Sequence, residues 1–219
     1  MKVSEAVSTR RSIRAFTDTP VRTEVLKDLL ERSARAPSGG NLQPWRVVVL
    51  NGDGMARFLE HLAQEPPMEV PAYDIYPRDL KEPYRSSRFK VGEDMYGLLG
   101  IPREDKPARL AHLARNYRFF DAPAGFFCYV DRQMGPPQWS DLGMFLQTFM
   151  LLAREAGLDT CAQEAWATRP EAVAKYCRPD PDWMLFCGMA VGFRDPAAPV
   201  NELVSDRAPL EDWASFIDA

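Results

Sequence analysis

Two histidines, His61 and His112, are all that this chain of 219 residues holds, and their scarcity excludes several kinds of catalytic site. A histidine-based metal centre or a Ser-His-Asp triad has little material to form from. None of the four cysteines stands in a CxxC pair, which favours free thiols over disulfides. We therefore predict no metal site and no catalytic side chain of these types.

The chain also lacks a positive excess and a membrane-length apolar run. Lysine and arginine number 27 against 31 aspartates and glutamates, so the net charge of −4 gives no reason to expect a nucleic-acid partner. The apolar stretch 142–153 is too short to span a bilayer, and residues 1–5 lack the apolar core of a signal peptide. We expect a cytoplasmic protein with no membrane association.

Three apolar runs, separated by helical patterns, indicate a sheet that is covered on both faces. The runs are residues 45–50, 125–130 and 184–191, each apolar on consecutive positions, as in strands buried on both sides. With 46% apolar and 26% charged residues the chain can form a packed core, and we predict one domain over residues 1–219.

Helical spacing and capping residues predict helices between these runs. Ser4 is expected to cap a short helix, Thr23 a second one, and Asp141 a third over residues 142–156. The third helix is apolar almost all round, which is typical of a helix buried on most faces and suits a subunit interface.

Prolines interrupt two regions. The seven prolines within residues 66–107 exclude one long helix or a central strand there. A loop of this length is often a lid or a binding element, and the alternative is a plain surface excursion with one helix near residues 85–99. Residues 193–219, with three further prolines, are predicted to form an extended arm.

Residues 10–14 hold three arginines and Ser12 within five positions. Guanidinium groups match phosphate and other anionic oxygens in a bidentate way. The alternation of Ser12 and Arg14 with Ile13 suggests an extended segment with its polar groups on one side. Composition taken alone favours a solvated basic turn instead.

Residues 37–45 join a helix to a strand and supply a mixed set of polar groups. Gly39 lets backbone amides approach a ligand closely, and Ser38 and Asn41 provide donors and acceptors. This suits the edge of a heterocycle, although a helix C-cap followed by a loop would look the same. The chain has no Walker lysine motif, no complete GxGxxG and no GxSxG elbow, which argues against a Rossmann nicotinamide domain.

Four segments, in order, resemble the nitroreductase family. Residues 10–16 (RRSIRAF) and 36–45 (APSGGNLQPW) are similar to its N-terminal signature, and residues 157–165 (GLDTCAQEA) to its segment beside the flavin ring. The C-terminal strand and arm of the family resemble residues 188–192, 199–201 and 206–210. Each segment is moderately specific, and their order along most of the chain carries the resemblance.

The resemblance implies an α+β fold, namely a nitroreductase-like three-layer sandwich whose central mixed sheet is flanked by helices. It also implies an interwoven homodimer that binds FMN at the subunit interface, with the C-terminal arm crossing onto the partner. Such a dimer would explain why residues 142–156 are apolar on most faces.

Carried over position by position, the resemblance assigns the basic residues to the cofactor. Arg10 and Arg207 would hold the FMN phosphate, with Ser12 nearby. Arg14 would lie by the N1 and C2-carbonyl edge of the ring, where a cation stabilises negative charge. Arg11 would join them or point away into a structural pair.

The remaining implied contacts come from two other segments. Gln163, Glu164 and Ala165 would pass beside the ring, with one backbone N–H facing N5. Many members carry a lysine where this chain has Ser205, so phosphate binding would depend more on the two arginines. The other protomer would contribute Pro37, Ser38, Gly39 and Asn41.

The implied activity is reduction of nitroaromatics, quinones or similar electron-poor aromatic rings by NADH or NADPH, in a ping-pong hydride-transfer cycle. No protein acid or base is implied, because the flavin carries the chemistry. Two alternatives stay open. One is reductive dehalogenation or flavin modification on the same fold, in which Glu93 and Tyr96 would grip an amino-acid substrate. The other is a flavin-binding protein without enzymatic activity.

Overall fold

A four-stranded sheet forms the centre of the fold. The computed structural model of the chain describes residues 1–217. The strands are β1 (Arg46–Asn51), β2 (Ala124–Asp131), β3 (Asp159–Gln163) and β4 (Trp183–Gly192). They lie in the order β1-β2-β4-β3, and each neighbouring pair is antiparallel. The sheet was predicted to be mixed, whereas its strand pairs in the described residues are all antiparallel; the parallel bridge between Ser12 and Thr160 joins β3 to a segment outside the named strands.

Helices cover this sheet on both sides. Within residues 1–217 the α-helices are α1 (Val3–Thr9), α2 (Thr23–Ser33), α3 (Asp53–Leu62), α4 (Tyr84–Leu98), α5 (Lys106–Ala114), α6 (Pro136–Glu155) and α7 (Pro170–Cys177). Short 3-10 helices occur at Gly39–Asn41, Arg115–Asp121, Glu164–Thr168, Pro199–Glu202 and Leu210–Asp212. No helix in this part of the chain is long and apolar enough to cross a membrane.

The central strand β2 explains the layered core. Its residues are buried on consecutive positions, and alternate side chains enter two different apolar clusters. Phe127 packs with Phe58 of α3 on one face, while Phe126 packs with Phe149 of α6 on the other. The predicted sheet covered on both faces is therefore confirmed.

The strand β3 and the starts of three helices differ from the sequence prediction. The first two helices begin without a side-chain cap from Ser4 or Thr23. Helix α6 begins at Pro136, whose missing N–H suits a first helical position, so Asp141 lies inside the helix and does not cap it. The strand β3 escaped prediction because its polar residues break the apolar pattern.

The proline-rich residues 66–107 contain one complete helix, α4, close to the range predicted for it. None of the residues of α4 is buried. The helix lies against the 3-10 helix Pro199–Glu202 of the C-terminal arm. Of the arm predicted at 193–219, the last two positions lie outside the described residues.

Candidate functional site

A basic cavity of about 580 Å³ lies between the end of α1 and the C-terminal arm. Five of the predicted site residues line it: Arg10, Arg11, Ser12, Arg14 and Arg207. These positions come from the two ends of the chain. The fold therefore brings together the two basic segments that the sequence analysis had linked.

Hydrogen bonds fix the residue 10–14 segment along the edge of β3. The Ile13 N–H donates to the Thr160 carbonyl at 3.0 Å, and the Ile13 side chain is fully buried. The Arg14 N–H donates to Oδ1 of Asn201 at 2.9 Å, and Nδ2 of Asn201 donates to the Ala15 carbonyl at 2.8 Å. The predicted alternation is confirmed, because Ile13 faces the core while its neighbours line the cavity.

The electrostatics of the cavity favour an anion. Burial, followed by the positive charge of Arg207, lowers the pKa of Arg10, although the neighbouring Cys161 acts in the opposite direction. Among residues 1–217, no ion pair includes Arg10, Arg11, Arg14 or Arg207. Like charges held close together without a carboxylate destabilise one another, and an anion bound between them would relieve this.

Ser205 orients Arg207 in the arm. Nη1 of Arg207 donates to Oγ of Ser205 at 2.8 Å and also to the Ser205 carbonyl at 3.1 Å. Both residues line the cavity. The serine thus supports the arginine and adds no second charge to the arm.

Gln163 ends β3, three extended residues or about 10 Å beyond the contact at Thr160, and Glu164 and Ala165 begin the 3-10 helix that follows. The Gln163 side chain is buried and donates from Nε2 to the Asn116 carbonyl at 2.8 Å. Desolvation raises the pKa of Glu164, although its side chain still reaches solvent. The 3-10 helix Glu164–Thr168 leaves its first N–H groups without an intrahelical acceptor.

Pro37, Ser38, Gly39 and Asn41 lie apart from the cavity in this single chain. None of the four is among the described residues that line it. The Gly39 N–H donates to both carboxylate oxygens of the buried Asp141, each at 3.3 Å. Asp141, taken from the sequence as a helix cap, instead anchors this glycine loop on α6.

Six residues that line the cavity were not predicted from the sequence, namely Val7, Ser8, Val91, Gln147, Leu203 and Val204. Gln147 of α6 and Val91 of α4 both contribute to its wall. Neither carries a local signal, because a glutamine in an apolar helix and a valine in an exposed one are both common. Asn201 was part of a recognised segment, and its spacing from the prolines of the arm could have marked it as a backbone anchor.

Glu93 and Tyr96, the residues expected to grip an amino-acid substrate, are engaged by Arg109. The guanidinium of Arg109 donates to both oxygens of Glu93, at 2.5 and 3.1 Å, which lowers the pKa of Glu93. The same guanidinium lies 4.3 Å from the ring centroid of Tyr96, whose hydroxyl donates to the Arg109 carbonyl at 3.3 Å. Contacts between α4 and α5 therefore occupy both groups.

Other features of the chain do not form a competing site. All four cysteines are free thiols. Within residues 1–217, no group of three or more His, Cys, Asp or Glu side chains could hold a metal ion. A second cavity, of about 620 Å³, is lined by one stretch of α4 and does not bring together groups from distant parts of the chain.

Comparisons with known proteins show the family and the fold of this chain. The model of the nitroreductase family matches residues 7–193. Nitrobenzene nitroreductase of Ectopseudomonas oleovorans is 34% identical over 220 residues, covering 98% of this chain and 96% of the relative. The structure of the FMN and NADPH-dependent nitroreductase NfnB from Sphigopyxis sp. strain HMH has a TM-score of 0.95 and 43% identity, and the match covers all of both chains.

A more distant solved structure matches over the same extent. The FMN-dependent nitroreductase NfnB from Mycobacterium smegmatis, in complex with NADPH, has a TM-score of 0.91 at 25% identity, covering 99% of this chain and 100% of that one. The α+β fold predicted from the sequence is confirmed by these likenesses. The chain belongs to the nitroreductase family.

Proposed function

We propose that this chain is an FMN-dependent oxidoreductase that uses NADH or NADPH to reduce nitroaromatics, quinones or similar electron-poor aromatic rings. The observation that carries the proposal is the cavity in which Arg10 and Arg207 lie close together without a protein counter-charge. The names of its relatives support it, since they include a nitrobenzene nitroreductase and an FMN and NADPH-dependent nitroreductase.

The residues of the cavity fit the phosphate of FMN. Arg10 and Arg207 supply guanidinium donors, and Ser12 adds a hydroxyl beside them. Arg11 lines the same wall and adds a further positive charge to it. Ser12 of this group bridges to Thr160 of β3, and an elongated phosphorylated ligand could reach from the arginines toward the far end of that strand.

The ring of the cofactor would lie toward the end of β3. Arg14 would place a positive charge at the N1 and C2-carbonyl edge, and the N–H groups of Glu164 and Ala165 would be available near N5. When bound there, FMN would supply the two-electron redox chemistry that links the reduced nicotinamide to the aromatic substrate. The role of this chain is to bind the ring, offset its negative charge and limit access of water.

The four loop residues Pro37, Ser38, Gly39 and Asn41 would complete the site in a homodimer. None of the four lines the cavity of its own chain, and a second copy would bring them to the cofactor. Apolar side chains that a single chain leaves exposed are consistent with such a copy, and they include Val7, Phe89, Met144, Trp213 and Phe216. We also propose a cytoplasmic location, in keeping with four free thiols, and one domain with a lid within residues 66–107.

The visible absorption spectrum of the purified protein tests the cofactor directly. We expect the bands of oxidised flavin, and oxidation of NADH or NADPH that depends on added nitrobenzene, 4-nitrobenzoate or a quinone. A protein that stays colourless after FMN is added would contradict the proposal. Light scattering of the same sample should give the mass of a dimer.

The same preparation separates the two alternatives. Turnover of a halotyrosine in preference to 4-nitrobenzoate would favour reductive dehalogenation, although Glu93 and Tyr96 are held by Arg109 in this structure. A bound flavin that stays oxidised after rapid mixing with NADH and with NADPH would indicate a binding protein without enzymatic activity.

A further inference from the structure

A buried carboxylate from the proline-rich segment binds the start of α7. Oε1 of Glu69 accepts from Nε of Arg169 at 3.0 Å, and Oε2 accepts from the Glu171 N–H at 2.6 Å. The Ala172 N–H donates to the same carboxylate at 3.2 Å. Only 4% of the Glu69 side chain and 8% of the Arg169 side chain are exposed. We call this arrangement the Glu69 clamp.

Glu69 accepts hydrogen bonds from the first turn of α7, a role that the residue before the helix does not fill. The helix begins at Pro170, and the residue before it makes no side-chain cap. The free N–H groups of a first helical turn need an acceptor, and a carboxylate there also interacts favourably with the helix dipole. Glu69 supplies this acceptor from 100 residues away along the chain.

The clamp also holds the 3-10 helix Glu164–Thr168, which ends next to Arg169. Beside the clamp, the Ala72 N–H donates to the Ala167 carbonyl at 2.7 Å. On another side, the hydroxyl of Tyr117 lies 2.8 Å from Oγ1 of Thr168. The C-terminal end of this short helix is therefore fixed from several directions, while its first residues stay free to meet a ligand.

Beneath the same helix, Trp166 leaves no room for movement toward the sheet. A Cβ atom added at Gly188 of β4 would lie 2.2 Å from Cδ1 of Trp166, so the ring contacts the strand backbone directly. With Trp166 below and the clamp at the end, the positions of Glu164 and Ala165 depend on contacts several residues further along the chain.

We propose that Glu69 is a positioning residue for the flavin-ring segment. By holding Arg169 and the start of α7, it sets where the N–H groups of Glu164 and Ala165 lie. This inference rests on the proposed function. Residues 66–107 then have two parts. The part around Glu69 and Ala72 is fixed to the body of the fold, and any lid must lie beyond it.

Glu65 provides a matched control for Glu69. It comes from the same stretch of chain and binds the same helix, with Oε2 2.5 Å from Nζ of Lys175. Its partner stands in the last turn of α7, away from the 3-10 helix. Glu65→Gln therefore removes a carboxylate contact to α7 and only a through-space charge interaction with Arg169, whereas Glu69→Gln removes the charge that hydrogen-bonds Arg169 and the first turn of α7.

Two measurements on both variants test the proposal. In the FMN-free protein, hydrogen exchange of the amides at Glu164–Thr168 should become about tenfold faster in Glu69→Gln and stay within about twofold of wild type in Glu65→Gln. The dissociation constant of FMN, from quenching of flavin fluorescence, should rise by about tenfold in Glu69→Gln only. If Glu69→Gln does not fold, Glu69→Asp replaces it against Glu65→Asp, since aspartate keeps a counter-charge for Arg169.

Several results would overturn the positioning role of Glu69. Equal exchange and equal FMN affinity in the Glu69 and Glu65 variants would overturn the proposal. So would faster exchange across the whole chain, which indicates general destabilisation, or faster local exchange with unchanged FMN affinity. A wild-type protein that does not bind FMN at all would overturn the proposed function, and the positioning role with it.

Discussion

Two clusters of arginine lie on either side of the β3 edge, and only one of them has a counter-charge. Around the buried Asp159, Nη1 of Arg154 lies 2.9 Å from Oδ1, and Nε of Arg194 lies 2.7 Å from Oδ2. This carboxylate raises the pKa of Arg194. Around the cavity, Arg10 and Arg207 lie near each other with no carboxylate, and the pKa of Arg10 is lowered by burial and by Arg207.

The contrast separates a structural role from a ligand-binding role. An arginine whose carboxylate partner is in the same chain contributes to stability. Removing that carboxylate leaves the arginine charge uncompensated in a low-dielectric environment, which destabilises the fold. A charge whose partner is absent from the chain contributes little to stability and favours an external anion. Substitutions in the two clusters should therefore affect different measurements.

The largest effect is expected for Asp159→Asn, which leaves Arg154 and Arg194 without their shared carboxylate. We expect the free energy of unfolding to fall by about 3 kcal/mol, as when one partner of a buried pair is removed. Urea denaturation measures it. Asp28→Asn, which removes the exposed pair with Arg32, should cost no more than about 1 kcal/mol and serves as the control. Equal stability of the two variants would contradict the structural role of Asp159.

Arg10→Ala should weaken FMN binding and leave stability unchanged, the reverse of what is expected for Asp159→Asn. We expect the dissociation constant of FMN to rise about 10- to 100-fold, because charge-assisted hydrogen bonds to the phosphate are lost. The unfolding free energy of the FMN-free protein should stay unchanged or rise slightly, since repulsion with Arg207 is relieved. Fluorescence titration and urea denaturation measure the two quantities. Arg78→Ala, at a side chain 91% exposed, is the control, and equal FMN affinity in both variants would remove Arg10 from the site.

Inorganic phosphate should stabilise the FMN-free protein through the same cluster. A ligand present at ten times its dissociation constant raises the free energy of unfolding by about 1.4 kcal/mol. Urea denaturation in phosphate, compared with chloride at equal ionic strength, measures this increase. The increase should disappear in Arg207→Ala and persist in Asp28→Asn. An increase that survives loss of Arg207 would place the anion elsewhere.

The smallest effect is expected for Ser205→Ala, which removes the hydroxyl that accepts from Arg207. Loss of one orienting hydrogen bond should weaken FMN binding by about threefold. Fluorescence titration measures it, with Ser87→Ala in the exposed helix α4 as the matched control. A larger loss than that of Arg10→Ala would mean that Ser205 contacts the phosphate itself.

The sheet was largely predictable from the sequence because three of its strands are apolar on consecutive positions. The fourth strand, β3, was not, because Asp159, Thr160 and Gln163 are polar residues whose partners lie far away in the chain. The charge of Asp159 is matched by Arg154 and Arg194, and the amide of Gln163 by Asn116. Such residues look exposed in a linear pattern and are buried only once their partners are in place.

The basic part of the site followed from the resemblance, and composition alone would have left it a surface turn. The approach of Arg207 to residues 10–14 distinguishes an anion site from a surface turn, and the local sequence pattern does not show that approach. Asp141 and Glu69 were missed for the same reason, since each acts on a backbone N–H of a segment about a hundred residues distant. The roles assigned to individual cofactor contacts stay predictions until the substitutions above are made.

The cavity is built from residues near both ends of the chain, and this has a consequence for biosynthesis. Arg10 leaves the ribosome early, but its companion Arg207 follows only after most of the sheet has been made. At about 5–20 residues per second, the interval is on the order of ten seconds or more. A nascent chain that has not yet reached Arg207 therefore lacks part of the anion site, and binding of the cofactor phosphate there would have to wait until the arm has been made.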